Sequence, residues 1–315
     1  MAERLPPLTA LRAFDAAARH LSFAKAADEL NVTPAALSFQ IKSLEEHLGA
    51  PVFKRLNRAV ELTEAGHALA PDCRDGFARL TAAWRAAQRA SDTRTVTVTA
   101  GPALTAKWLA PRMFGFATAH PEIELRFSAS LRIMDFDRDA IDVAIRFGYA
   151  RDEGMFTVPI AREWLTPMVA PSLARTLRHP EDLKKLTLLH QEDTAFLKPS
   201  IEWPAWFHAA GLTSPPMTGP RFSQADHAVD AALAGAGAVL GRISLTSSAL
   251  RDGQLVAPFD IALTTEAHYR FVCPKGAETR PHIAAFLNWV RAEAEEFKTY
   301  EKGRHFVAAA DVGSD

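Results

Sequence analysis

A helical period that stops and restarts within the first fifty residues constrains this 315-residue chain more than any other feature. After Pro6-Pro7, the spacing of Leu11, Phe14, Ala18 and Leu21 predicts one helix. Ser22 as N-cap opens a second through Phe23, Ala26, Ala27 and Leu30. Asn31-Val32 breaks the pattern. Thr33 followed by Pro34 then supplies an N-cap and a first-turn residue for a third helix, whose Leu37, Ile41, Leu44 and Leu48 form one apolar stripe before Gly49 ends it. The second and third helices are thus joined by a tight turn.

At 100° per residue from that stripe, Ala35, Phe39, Lys42 and Glu46 fall on the far side, with Ser38 and Gln40 on its flanks. Ala35 and Ser38 are short enough to approach a major groove, Gln40 reaches a base edge and Lys42 suits a phosphate. Phe39 facing outward reads either as a thymine-methyl contact or as part of a protein contact. Beyond Gly49-Ala50-Pro51, the run from Val52 to Thr63 carries Lys54, Arg55 and Arg58 with strand-like alternation and reads as a wing. Arg55 and Arg58 at its tip would contact phosphates or enter a minor groove; the alternative is solvated surface. Any basic surface has to be local, because the net charge is -1 and residues 1–62 carry almost as many carboxylates as cations.

The run Ser22-Phe23-Ala24-Lys25-Ala26-Ala27-Asp28-Glu29-Leu30-Asn31-Val32-Thr33-Pro34-Ala35-Ala36-Leu37-Ser38-Phe39-Gln40-Ile41-Lys42-Ser43-Leu44-Glu45, with Leu48-Gly49, Val52-Phe53, Arg55, Arg58 and Leu62-Thr63-Glu64-Ala65-Gly66, resembles the DNA-binding domain of LysR-type transcriptional regulators. It is most similar to their glycine-cleavage-activator branch. The resemblance implies a winged helix-turn-helix over 1–64 that binds a two-fold-related operator in double-stranded DNA. Its DNA-binding residues would be Ser22, Lys25, Thr33, Pro34, Ala35, Ser38, Phe39, Gln40, Lys42, Arg55 and Arg58. Phe39 departs from the family, which usually carries a polar or basic residue there.

From Thr63 to about Ala90, Leu69, Cys73, Phe77, Leu80, Trp84 and Ala87 recur at coiled-coil spacing. Pro71 should kink or break this helix. The stripe seeks a partner helix or packs on its own domain. The resemblance favours a linker helix over 65–92 that pairs two subunits through Leu69, Cys73, Phe77, Leu80 and Trp84. It also implies that dimers commonly pair into tetramers and that RNA polymerase is a further partner.

A hinge at Ser91-Asp92-Thr93 precedes a strand at Thr95 to Ala100, and strand and helix patterns then alternate. Strands are expected at Ile123 to Phe127, Ile141 to Phe147, Thr166 to Ala170, Leu186 to His190, Ala238 to Gly241 and Tyr269 to Cys273. Helices are expected at Trp203 to Ala210, Ala225 to Ala234 and Pro281 to Phe297, with Trp203 and Trp206 in the core. The whole is of the α+β or α/β class. The resemblance implies that 93–298 is a two-lobed, periplasmic-binding-protein-like α/β effector domain, with crossovers near 165–168 and 268–270. The last lobe would close with the helix ending around Phe297, leaving 299–315 as a loosely ordered tail. An organic acid or amino-acid-like effector would lie between the lobes, against Ala103, Thr105, Arg146, Ser223, Gln224 and Tyr269. Ser223 otherwise only caps a helix and Arg146 only pairs with Asp142 or another acid. Ala103 stands where relatives often have Ser or Thr.

No enzyme, metal or cofactor signal stands beside this reading. The glycines from Gly235 to Gly241 follow a helix and precede a strand, the reverse of a dinucleotide fingerprint. There is no P-loop, H-E-x-x-H or G-x-S-x-G, and the histidines lack metal-ligand spacing. Cys73 and Cys273 form no disulfide framework, and no signal peptide or membrane span is legible, so a cytoplasmic location is expected. The competing readings are a small-molecule binding protein or enzyme with an N-terminal interaction module, and a head that binds protein through Phe39.

Overall fold

The structure is a computed structural model that describes residues 5–55, 60–91, 94–136, 138–149 and 152–312, and the chain divides into two compact units, Met1–Arg89 and Ala90–Asp315. In the first, α1 (Leu8–His20), α2 (Phe23–Leu30) and α3 (Pro34–Leu48) precede a hairpin of β1 (Phe53–Arg55) and β2 (Val60–Leu62), and α4 (Glu64–Ser91) follows. Local chemistry sets the boundaries. Ser22 Oγ accepts from the Lys25 amide at 3.4 Å and Thr33 Oγ1 from the Ala36 amide at 3.2 Å, so each hydroxyl satisfies an otherwise orphaned helix donor. Asn31 ends α2 in the left-handed region, at φ 53°, where its amide reaches the carbonyls of Ala27 and Asp28. Phe14, Leu37, Ile41 and Leu44 fill the centre, and Ala13, Ala17, Ala26 and Ala27 allow the helices to approach closely.

Two side chains fix the hairpin. Glu45 on α3 accepts from the amides of Val52 at 2.9 Å and Phe53 at 3.4 Å, and the Thr63 hydroxyl donates to Pro51 O at 2.7 Å. Arg19 bonds both Asp15 and Glu29, tying α1 to α2. This hydrogen bond from Arg19 holds the Glu29 carboxyl down to about 2.

The long helix α4 passes through Pro71 without a break. Pro71 is exposed, its ring needs no room in the core, and one lost backbone bond is outweighed by the packing of neighbouring Leu69, Ala70 and Cys73 on the core of their own unit. The Cys73 thiol reaches Leu11 O at 3.6 Å. The apolar stripe therefore divides: Leu69 and Cys73 are engaged within the unit, Phe77 is half-buried, and Leu80 and Trp84 are 54% and 66% exposed.

In the second unit, β3 (Thr95–Ala100), β4 (Glu124–Ala129), β5 (Val143–Gly148), β6 (Met155–Met168), β7 (Leu188–Gln191), β8 (Arg221–Phe222), β9 (Ala238–Arg242), β10 (Ile261–Pro274) and β11 (His305–Ala308) are the strands among the described residues. They run in the order β4-β3-β5-β10-β6-β9-β7-β8, with β11 on β10. Strands β6 and β10 have 14 residues each and pair antiparallel with each other. The far part of β10 pairs with β5 through His268–Val272, whereas its start pairs with β11 through Ile261–Thr264. Likewise β6 gives Leu165–Met168 to β9. Partners therefore change at 162–165 and 264–268, the latter marked by a register shift. On one side of these points lies a core of Val96, Trp108, Phe116, Phe271 and Phe286; on the other lies one of Leu165, Leu183, Trp203, Trp206 and Phe259.

The helix Pro281–Ala294 packs Ile283, Phe286 and Val290 into the first core, because β10 returns the chain to that side before the helix begins. One expectation is corrected here: the stretch 299–312 is not loose. Glu295–Tyr300 forms a 3-10 turn, β11 adds to the edge of β10, Ala309 is buried and Arg304 stacks 5.4 Å over Trp164. A sheet edge with unpaired backbone groups accepts such a strand. The helix Ile243–Arg251 is a further element that the sequence pattern did not announce.

Two outcomes follow. A Cβ on Gly66 would meet Val52 O at 2.3 Å, so Gly66→Ala should cost roughly 1–3 kcal/mol of stability in denaturant titration, forcing β1 and α4 apart. The Glu29 carboxyl titrates below its unfolded value of 4.5, so its stabilisation is present above pH 4.5 and fades as pH falls toward 2. The pair is partly exposed, so this contribution should stay under about 1 kcal/mol. Glu29→Gln should remove it, seen as wild-type and variant melting temperatures converging on acidification.

Candidate functional site

On the head, the expected reading face of α3 is largely open. Pro34, Ala35, Phe39 and Lys42 are exposed, and Ser38 and Gln40 are half-buried. Lys42 Nζ lies 3.6 Å from Glu46 Oε1, a loose pair at the surface. Lys25 and Lys54 add exposed cations. The hydroxyls of Ser22 and Thr33 accept from backbone amides, so both residues position the helices. Arg55 ends β1 opposite Val60, and Arg58 lies outside the described residues.

In the second unit a cleft of about 260 Å³ opens beside the points where the long strands change partners. Of the residues named from sequence, Ala103, Arg146, Gln224 and Tyr269 line it. Thr105 does not: its hydroxyl turns back to donate to Gly101 O at 3.0 Å, one turn earlier in its own helix. Ser223 is exposed and also outside the lining, and it makes no cap, because Gln224 holds the N-cap position of Ala225–Leu233.

Five charged lining residues escaped the sequence reading: Arg132, which bonds Asp139 at 2.9 Å, and Asp152, Asp193, Arg242 and Arg270. Asp152 lies between two guanidiniums. Arg146 Nη1 bonds one of its oxygens, and Arg270 Nε reaches the other at 3.3 Å while donating through Nη1 to Gly148 O at 2.6 Å. Arg146 also donates to Met134 O at 3.1 Å and stacks over Phe136. Its acid is therefore Asp152 and not Asp142, which instead accepts from the Thr97 amide at 2.8 Å. Arg242 is almost wholly buried, bonds Asp193 and lies 5.4 Å over the Phe147 ring. Beneath it, Glu163 is bonded to Ser244. Burial pushes the Glu163 carboxyl up against the pull of Arg242, and it pushes the Tyr269 phenol up as well.

A signal for these residues was present. Arg270 interrupts the apolar run Tyr269 to Cys273, and Arg242 follows Ala238 to Gly241; a charge inside a two-sided buried strand is rare unless paired. Asp152 and Asp193 lie in irregular segments, where no period marks them.

Residues 8–67 match the family described as "Bacterial regulatory helix-turn-helix protein, lysR family", and residues 89–295 match the "LysR substrate binding domain". The chain belongs to the LysR family. Similarity extends over most of its length: it is 39% identical over 298 residues to the glycine cleavage system transcriptional activator of Escherichia coli K12, covering 93% of this chain and 96% of that one. It is 35% identical over 290 residues to the transcriptional activator AmpR of Rhodobacter capsulatus, covering 92% and 98%. Among solved structures, the effector domain of AmpR from Pseudomonas aeruginosa aligns at 28% identity and a TM-score of 0.52, over 67% of this chain and 98% of that one. The protein is a LysR-type transcriptional regulator, with a DNA-binding helix-turn-helix unit and an effector-binding domain. Among its described residues no helix is long and apolar enough to cross a membrane.

In this LysR-family domain, removing Asp152 would leave the buried Arg270 and the half-buried Arg146 without their shared counter-charge. Asp152→Ala should therefore cost about 3–5 kcal/mol in denaturant unfolding. The double variant with Arg146→Met should recover part of that loss.

Proposed function

We propose that α3 and the β1–β2 hairpin are the DNA-reading surface of this regulator, and that the cleft takes a small anion whose binding alters affinity for DNA or its bend. The cationic surplus of the cleft carries the second part. Arg132, Arg146, Arg242 and Arg270 line it against Asp152 and Asp193, and burial pushes the Glu163 carboxyl upward. Two helix starts adjoin the same space, at Gly101-Pro102 and at Gln224, and neither has a side-chain cap, so their first amides favour a negative group. An organic acid or an amino-acid carboxylate fits this chemistry. Gln224 and Tyr269 would orient it, Ala103 would offer only a methyl, and Arg242 and Arg270 take the contact roles expected of Thr105 and Ser223.

On the head, Lys25, Lys42, Lys54, Arg55 and Arg58 would neutralise phosphates, and Ala35, Ser38, Phe39 and Gln40 would meet base edges. The exposed Leu80 and Trp84 of α4 favour pairing with a second copy, so that two heads meet a two-fold-related site. Tetramers, contact with RNA polymerase and a cytoplasmic location complete this reading.

Footprinting of the purified protein on DNA flanking its own gene, at two salt concentrations and with a panel of small acids and amino acids, tests it. The expected result is a two-fold-related protected site that weakens steeply with salt and changes length or bend with one acid. Should neither that DNA nor selected random duplexes give a preferred sequence, the assignment of the reading surface fails; a regulated site that responds only to cations or neutral compounds rules out the anion.

A further inference from the structure

The reading face of α3 carries a large apolar group where hydrogen-bonding chemistry would be expected. Phe39 is 68% exposed, one helical turn after Ala35 and one before Lys42, on the side of the helix opposite the buried Leu37, Ile41 and Leu44. The polar capacity around it is small. Thr33 is committed to capping α3, Ser38 and Gln40 are half-buried, and Ala35 and Ala36 end in methyl groups. Toward the C-terminal end Glu46 makes the same face acidic, so the approach to a polyanion falls on the first half of α3, where Phe39 is exposed and precedes the exposed Lys42 by one turn. Water gains nothing from an exposed phenyl ring. In the major groove, one group on the base edges is apolar, the C5 methyl of thymine.

We propose that Phe39 determines base preference by packing on a thymine methyl in each half-site. This rests on α3 being the reading helix. Phe39 then supplies discrimination through the removal of two apolar surfaces from water, with no hydrogen bond to the base. Each methyl should be felt in proportion to a buried methyl group, about fourfold in Kd.

The experiment uses the full chain and the duplex it selects from random sequences. Failure to select any preferred sequence overturns the reading-helix assignment and this inference with it. With a selected duplex in hand, each thymine is replaced singly by uracil, which removes only the methyl and leaves the pairing unchanged. Wild-type protein should lose about fourfold at one thymine per half-site. Phe39→Ala and Phe39→Gln should bind thymine and uracil equally there, and their melting temperatures should match wild type, because the residue is exposed. The variants are scanned at low salt, where phosphate contacts hold weakened proteins on the duplex. If no thymine is sensitive in wild type, or if the sensitive thymine stays so in both variants, Phe39 does not read a methyl. A change in oligomeric state with unaltered DNA affinity likewise overturns the proposal, assigning Phe39 to a protein contact.

Discussion

The antiparallel pairing of Met155–Met168 with Ile261–Pro274 is the constraint on which the effector-binding unit depends. Each strand enters the sheet beside one set of neighbours and leaves beside another, so the two halves are held together by continuous backbone ladders. Such ladders resist separation yet bend where register is lost, and the slip between Thr264 and His268 marks that point. Flanking strands end or diverge there, leaving space that neither apolar core fills. The cleft is a consequence of two strands serving two sheet halves.

What occupies the walls of that space follows from the cost of burying charge. A guanidinium removed from water needs both a counter-charge and partners for its remaining N–H groups. Asp152 answers this for Arg146 and Arg270, and the carbonyls of Met134 and Gly148 take further donors. Arg242 has Asp193 and the face of Phe147. With Asp152 and Asp193 set among Arg146, Arg242 and Arg270, each carboxylate fixes guanidinium orientation, and arginines outnumber carboxylates in the lining. Rigid, already oriented donors are the arrangement that costs least when an anion arrives.

The head was legible in sequence to within a residue or two because local rules decide it. Ser22, Asn31 and Thr33 each act through backbone groups three or four residues away, and the apolar period of α3 needs no distant partner to be recognised. The second unit was legible only where strands are uniformly apolar. Pro159 and Pro167 interrupt β6, and the run from Thr264 to His268 interrupts β10, so half of each long strand carried no period. On β10 that interruption is where partners change, and on β6 the two prolines flank the change at 162–165. The strand at His305–Ala308 was hidden for a related reason: its register is set by an open edge some forty residues earlier, not by its own composition. Likewise Thr105 and Ser223 sit at the right helix starts, but a sequence cannot show that one hydroxyl turns back on its own helix and the other faces solvent.

The charge balance of the chain bears on how a single head can hold DNA at all. With a net charge of -1 overall and Glu46 paired to Lys42, long-range attraction is weak, and each head offers only a few cations to phosphates. Sequence-independent affinity from so few contacts is small and falls further with salt. Two heads joined on one molecule convert the second encounter into an intramolecular one, which raises occupancy without any new contact. The split stripe of α4 suits that demand: Leu69 and Cys73 lock the helix to its own head, while Leu80 and Trp84 are exposed, the surface proposed for a second copy. A rigid attachment at one end of the helix and an apolar surface farther along it would fix the spacing of two heads, and that spacing then selects operators as strictly as any base contact does.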